Sequence, residues 1–393
     1  MARSLLPIVL TADNFPVSSS NEPFPLSNPQ TGEIYTPFHL TLSDYQNHLP
    51  HVGLLRQSVL DELKADKRSV SACPWGFHIT PASEEGETYV EVACVFFADW
   101  VVNGGKEVMH KVMQEEVERW REEGKFSGAL LGWRDELYMV YASSRSSALI
   151  QHTEETFSNG AFPLERSACA IFGFATFGVH LTGTLELSAG FRTLRVHSLR
   201  RGRKGYEDLG AATERDEADA SSKVPTMIIL YCLHRFIAHY SWPSRLDNSV
   251  AGGIPAGMTP LDAMIKECDE EASLPETLVR SLVKNVGVTT YLYISEEGYL
   301  QPEIEYLYDL PLPPKENSSY VRLHPHDDEV ESFALLSIPE VIQALHSGDF
   351  KPNCGLILVD FLIRHGYVTP ETEPAYIEIA WRMRRRLGVG VPS

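Results

Sequence analysis

The clearest periodic signal in the chain lies at residues 260–274, where Leu261, Met264, Ile265, Cys268 and Ala272 recur at intervals of three and four. That spacing draws one apolar stripe along a helix from Pro260 to Leu274. Thr259, Pro260 and Asp262 mark its start, as the cap, the first-turn proline and the acidic partner of a capping box. A second amphipathic helix is predicted over Glu107–Glu122, with Val108, Val112, Met113 and Val117 on one side. Further helices are expected at Gln57–Lys67, Glu276–Lys284, Pro339–Ser347 and Leu356–His365. Strand patterns fall at Tyr89–Phe97, Glu136–Tyr141, Ala168–Leu181, Thr193–Leu199, Val286–Ile294, Glu303–Leu310 and Ser332–Leu336.

These elements sort into an N-terminal α/β domain over 38–166 and a second domain over 167–393, after an irregular extension at 1–37 whose later part is rich in Ser, Pro and Asn. The seam is placed near 166, where a mixed pattern gives way to Gly-punctuated strands. Within the second domain, 205–240 reads as an inserted segment: an acidic, Ala-rich stretch, then an apolar run from Val224 to Cys232. Such a stretch is unusual inside a compact domain. It is expected to be either a surface excursion or a product of a faulty gene model such as a retained intron.

Composition narrows the function classes. A length of 393 residues suits two domains, and 43% hydrophobic with 22% charged residues suits packed cores. The net charge of -19 speaks against a nucleic-acid binder, because that affinity comes mostly from Lys and Arg neutralising phosphates. No apolar run reaches the ~20 residues of a membrane span, and the opening segment lacks the pattern of a secretory or transit peptide. The six cysteines show no CxxC spacing, so neither a zinc site nor a disulfide framework is expected. A reducing, cytoplasmic setting is the expectation, with an organelle left open. His78, His180, His324 and His326 are scattered without metal-ligand spacing.

Candidate chemistry sits on the 260–274 helix. Glu267, Glu270 and Glu271 stand at i, i+3 and i+4, on one strip beside the buried face. Like charges so placed repel by a few tenths of a kcal/mol per pair, and a cation relieves them. Mg²⁺, with Mn²⁺ as the alternative, suits oxygen ligands and bridges carboxylates to substrate phosphates. An acidic helix face is nonetheless commonly just solvated. The approach to the helix, Val250-Ala-Gly-Gly253, reads as a glycine-rich loop in which Gly252 and Gly253 let backbone approach a phosphate.

Together these residues resemble the Nudix box, whose pattern is Gly, five residues, Glu, seven residues, then Arg-Glu-apolar-x-Glu-Glu-x-Gly-apolar. Gly252 fills the first position, and Lys266-Glu267-Cys268-Asp269-Glu270-Glu271-Ala272-Ser273-Leu274 fills the final block at the correct spacing. Met258, Lys266 and Ser273 stand where the pattern has Glu, Arg and Gly. More widely, the chain is similar to the thiamin pyrophosphokinase-related Nudix hydrolases. That similarity rests on Asp13-Asn-Phe-Pro16, Phe172-Gly-Phe-Ala-Thr-Phe-Gly-Val-His180, Leu246-Asp-Asn-Ser-Val-Ala-Gly-Gly253, Leu300-Gln-Pro-Glu303, Glu329-Val-Glu-Ser-Phe333, Phe350-Lys-Pro-Asn-Cys354 and Asp360-Phe-Leu-Ile-Arg-His-Gly366.

The resemblance implies a Nudix α/β/α sandwich with a mixed sheet, following an N-terminal domain of uncharacterised type. It also implies a small-molecule diphosphate as substrate: thiamin-type diphosphates, preferentially oxidised or damaged forms such as oxythiamin diphosphate, converted to monophosphates. Glu267, Glu270 and Glu271 are then the expected metal ligands. Glu271, Glu270 or the loop residue Glu329 is expected to take the proton of the attacking water. Arg195, Arg200 and Arg201, at the end of a basic strand, together with Lys266, Gly252 and Gly253, are expected to bind substrate. Two other readings stay open: hydrolysis of a nucleoside diphosphate derivative, and a catalytically weak Nudix-like binding protein, suggested by Met258, Lys266 and Ser273.

Overall fold

The computed structural model describes residues 3–16, 26–66, 68–69, 71–84, 87–149, 157–187, 227–235, 245–314, 317–326 and 330–393. In chain order the first elements are α1 (Leu6–Ala12), β1 (Thr36–Phe38), α2 (Leu42–Gln46), β2 (Gly53–Leu55), α3 (Gln57–Lys64), β3 (Trp75–Glu84) and β4 (Glu87–Phe97). They are followed by α4 (Asp99–Asn103), α5 (Gly105–Glu122), α6 (Ser127–Leu130), β5 (Leu137–Tyr141), β6 (Gly160–Glu165) and α7 (Arg166–Cys169). The second half carries β7 (Thr176–Leu187), β8 (Met227–Arg235), β9 (Leu246–Asp247), β10 (Val250–Gly253), α8 (Pro260–Ala272), α9 (Glu276–Leu282), β11 (Lys284–Ile294) and β12 (Leu300–Leu312). It ends with β13 (Val330–Ser337), α10 (Ile338–Ser347), α11 (Pro352–Arg364) and α12 (Tyr376–Arg382).

The first unit pairs a mixed sheet of order β2-β1-β4-β3 with α5 and with the hairpin β5-β6. The apolar stripe of α5 is buried at Met109, Val112, Met113, Val117 and Trp120, and Trp120 stacks on Phe172 with centroids 5.4 Å apart. This core runs on to Phe174 and takes in Tyr299 from beyond β11, whereas Ala175 and Phe177 belong to the next core.

The second unit is built on a sheet with the path β11-β12-β7-β8-β13, with β10 paired to β7 and β9 to β8. Only the β12–β7 pair in it is parallel among the described strands, so the sheet is mixed. The alternation of β12 divides its side chains between two cores: Ile304, Tyr308 and Leu310 pack with Met264 and Cys268 of α8, while Leu307 packs with Leu356, Phe361 and other residues of α11. Helices therefore cover both faces, giving the expected α/β/α sandwich.

Several local expectations are corrected. The start of the chain is not irregular throughout: Pro7, in the first turn, opens α1, which buries Val9 and Ala12. The expected strand from Ala168 starts only at Thr176, because Glu165 caps the short helix α7 and Gly173 turns the chain at φ +62°. The apolar run at the end of the supposed insertion supplies β8, which lies between β7 and β13 in the sheet. The glycine-rich approach to α8 is itself a strand, β10, paired antiparallel with β7. A further helix, α12, follows the one expected to be last. The expected strand Thr193–Leu199 and residues 205–226 and 236–240 lie outside the described residues.

Candidate active site

Helix α8 is fixed at both ends. Thr259 caps it, accepting from the Asp262 amide at 3.2 Å while its hydroxyl donates to the Asp262 carboxylate at 2.7 Å. It closes at Ser273, which adopts the left-handed conformation (φ 54°) and whose amide donates to Asp269 O at 3.1 Å. Ala263, Met264, Cys268 and Ala272 are fully buried beneath it. That orientation turns the glutamate strip towards β10 and the sheet end.

The three glutamates have different surroundings. Glu271 is 3% exposed and accepts a hydrogen bond from Ala251 N of β10 at 2.9 Å. Glu267 lies across Gly252, where a Cβ would overlap its carboxyl. Glu270 is the outermost, with a side chain 48% exposed. Lys266 Nζ reaches Glu270 at 2.6 Å and Glu267 at 3.1 Å, so an ammonium bridges two members of the strip. Burial pushes the Glu267 carboxyl above its ordinary pKa, against the pull of Lys266. Burial of Lys266 favours its neutral form, but hydrogen bonding to Glu270 and the nearby Glu267 prevail and raise its pKa.

Two more carboxyls come from β12. Glu303 and Glu305 project from the face opposite Ile304, and the parallel register sets them beside Thr176 and Gly178 of β7. Thr176 Oγ1 donates to Glu303 Oε2 at 2.6 Å, and Tyr291 OH to Glu305 Oε1 at 3.0 Å. His180 Nε2 stands 3.6 Å from Glu305 Oε2. Burial opposes ionisation of Glu305, yet His180 and the Tyr291 hydroxyl outweigh it and hold the pKa below the ordinary value. Burial and the adjacent Glu305 push Glu303 the other way, up to about 8.

Around these groups is a cleft of about 460 Å³. One wall is β10 and α8. Another comes from the first unit: Arg134, Glu136, Tyr138 and Arg166, with the Arg166 guanidinium 5.1 Å from the Tyr138 ring centroid and bonded to Glu136 at 2.5 Å. Lys351 and Asn353, at the start of α11, complete it. Arg134, Tyr138, Arg166, Thr176 and Glu303 also line an adjoining cavity of about 320 Å³ that continues to Phe174, Tyr299 and Gln301.

Beneath Glu305 the segments noted for family resemblance converge. His180 Nδ1 lies 2.8 Å from Asn248 Oδ1, and Cys354 Sγ donates to Asp247 Oδ1 at 2.5 Å. His180, Asp247 and Cys354 each offer a ligand atom, all within 4.8 Å of one another. His180 is therefore not the isolated histidine its spacing suggested. Burial and the neighbouring Asp247 keep the Cys354 thiol well above its ordinary pKa, so its S–H stays in place to donate to Asp247.

Of the residues expected at the site, Glu267, Glu270, Glu271, Lys266, Gly252 and Gly253 meet in this cleft. Arg195, Arg200, Arg201 and Glu329 lie outside the described residues. Arg134, Tyr138 and Arg166 carried no signal in the sequence, being single residues in a loop, a strand and the start of a short helix. Lys351 and Asn353 sat in a noted motif without a role.

Three curated proteins are similar to this chain over about two thirds of its length. The chain is 32% identical over 275 residues to the uncharacterised yeast protein YJR142W of Saccharomyces cerevisiae, covering 67% of this chain and 64% of that protein. It is 29% identical to the chloroplastic Nudix hydrolases 20 and 24 of Arabidopsis thaliana, over 66% and 65% of this chain and 54% and 55% of theirs. The chain thus spans between about half and just under two thirds of the length of these relatives. No protein-family model matches. The solved Ap4A hydrolase of C. elegans aligns at a TM-score of only 0.27, with 14% identity over 48% of this chain and 98% of its own. Two of these relatives carry the name Nudix hydrolase, the family whose box the segment 252–274 resembles. No described helix is long and apolar enough to cross a membrane.

Proposed function

We propose that the protein is a metal-dependent Nudix diphosphate hydrolase that converts thiamin-type diphosphates, above all oxidised or damaged forms such as oxythiamin diphosphate, to monophosphates. The observation that carries the reading is the meeting of Glu267, Glu270 and Glu271 with the Gly252 backbone at the mouth of one cleft. The donor set fits Mg²⁺ or Mn²⁺: three carboxylates share a strip, two of them paired with the Lys266 ammonium, and Gly252 leaves room for the Glu267 carboxyl. Glu267, Glu270 and Glu271 would hold the ion. When bound, it withdraws charge from the phosphoryl oxygens and lowers the pKa of the attacking water.

The remaining work falls to the chain's own side chains. Lys266, Arg134, Arg166 and Lys351 orient the phosphates from three sides of the cleft, with Arg195, Arg200 and Arg201 as further candidates. Glu271, held by Ala251 N, takes the proton of the attacking water; Glu270 and Glu329 are the alternative bases. The water oxygen bonds to phosphorus, the anhydride P–O bond breaks, and the products are a monophosphate ester and inorganic phosphate.

With Mg²⁺, the purified protein is expected to release phosphate from oxythiamin diphosphate. Glu270→Gln or Glu271→Gln should lower kcat by about a hundredfold or more, in the range seen when a general base is lost. Unchanged turnover in both variants would overturn the mechanism. A panel including nucleoside diphosphate derivatives, compared by kcat/KM, tests the substrate class.

A further inference from the structure

Glu303 has no part in the chemistry just described, yet it occupies the junction of the two cavities, lining both. From the α8 carboxylates, the second cavity is the continuation open to whatever a diphosphate is attached to. Its walls suit a flat ring, with Tyr138, Phe174 and Tyr299 among the lining residues. Glu303 is the acidic group at its threshold.

The surroundings decide which form of this carboxyl a ligand meets. Its neighbour on the same strand face, Glu305, is engaged by Tyr291 and faced by His180, so Glu305 keeps the negative charge. Two carboxylates side by side on one buried face do not both ionise readily. Arg166 and Lys351 favour the charged form of Glu303 but count for less than its burial and Glu305. Thr176 donates to Oε2, which leaves the acidic hydrogen to Oε1. At neutral pH Glu303 thus offers an O–H donor where an ordinary glutamate offers only acceptors.

We propose that Glu303 is a specificity-determining residue: its carboxylic acid donates a hydrogen bond to an oxo group on the ring of a heterocyclic diphosphate lodged in the second cavity, favouring ring carbonyls over ring amines. The inference rests on the diphosphate hydrolase reading and supplies a physical origin for a preference for oxidised substrates. An amine in the same place sets N–H against O–H, and a site left with a mismatched polar group discriminates strongly.

The test is the ratio of kcat/KM for oxythiamin diphosphate over thiamin diphosphate, measured with Mg²⁺ on the full chain across pH. Taking the ratio cancels effects on the phosphoryl chemistry that both substrates share. The wild type is expected to favour the oxo substrate by about tenfold or more near neutrality, in line with hydrogen-bond readout of a substrate group. The ratio should fall as pH rises through about 8. Glu303→Gln can accept from Thr176 through its amide oxygen and still present an N–H, so it should keep the preference and lose its pH dependence. Glu303→Ala should bring the ratio close to one, mainly through a higher KM for the oxo substrate. A ratio unchanged in Glu303→Ala, or a wild type that favours the amine at neutral pH, would overturn the proposal. Melting curves identify any variant that fails to fold, and Glu303→Gln then carries the test through its pH profile. If the wild type hydrolyses neither compound, the function reading fails on its own. Calorimetric titration with the same two diphosphates then decides the matter for Glu303, and equal affinities or no binding would refute it.

Discussion

At the scale of single residues, the site depends on how closely the backbone of β10 approaches α8. Ala251 N holds Glu271, and the missing side chain of Gly252 leaves space for Glu267. A methyl group at 252 displaces the Glu267 carboxyl without touching the helix core. Gly252→Ala is therefore expected to lower kcat/KM by about a hundredfold, the usual cost of moving a working group by an ångström. Its unfolding midpoint should change little, and turnover within threefold of wild type would show that Glu267 works from another position. The sequence made the three glutamates visible as a strip, because helical periodicity fixes their angle. It did not distinguish buried Glu271 from exposed Glu270, since that depends on which strand covers the helix. The pairing of Glu303 with Thr176 was equally hidden, being set by parallel register between strands 127 residues apart.

At the scale of elements, α8 was legible and parts of the sheet were not. Thr259, Pro260 and the apolar stripe define the helix from local chemistry alone, and the structure keeps the same start. Strand β8 was missed because its apolar run follows a long acidic stretch, and only the flanking strands β7 and β13 give it a role. The departure at Ser273 also acquires a physical meaning. The residue closes α8 in the left-handed region, where glycine is at ease and a residue with a Cβ is strained. Its hydroxyl recovers part of that cost through contacts with His324 Nδ1 at 3.0 Å and His324 O at 3.2 Å. Ser273→Gly should accordingly raise stability by about 0.5 kcal/mol, less than strain relief alone gives. Chemical denaturation reads this directly; a loss of stability would mean that the His324 contacts outweigh the strain.

For the whole molecule, both units contribute walls to one cleft. Arg134, Tyr138 and Arg166 come from the first unit and face the α8 glutamates across the cleft. Arg166→Lys retains the charge but not the fork, and should raise KM about tenfold while kcat changes less; an unchanged KM would remove the first unit from substrate binding. A second junction ties the ends of the chain together. Asp13, fully buried after α1, receives Arg382 Nη1 and Arg385 Nη1 at 2.9 Å each and Leu292 N of β11 at 3.0 Å. One carboxylate thus links the first helix, an edge strand and the last helical region. Asp13-Asn-Phe-Pro16 stood out in the sequence only by resemblance, because its partners lie some 370 residues away. Removing the anion leaves two arginines, each no more than about 13% exposed, with the half-exposed Glu378 on Arg382 as the remaining carboxylate. Asp13→Ala should therefore cost about 3 kcal/mol, the penalty typical of breaking a buried ion pair from one side. Arg385→Ala should cost less, since Arg382 still neutralises Asp13. Urea denaturation of the two variants checks the order, and equal small losses would show that the ends are held by apolar packing of α1 on α11 instead.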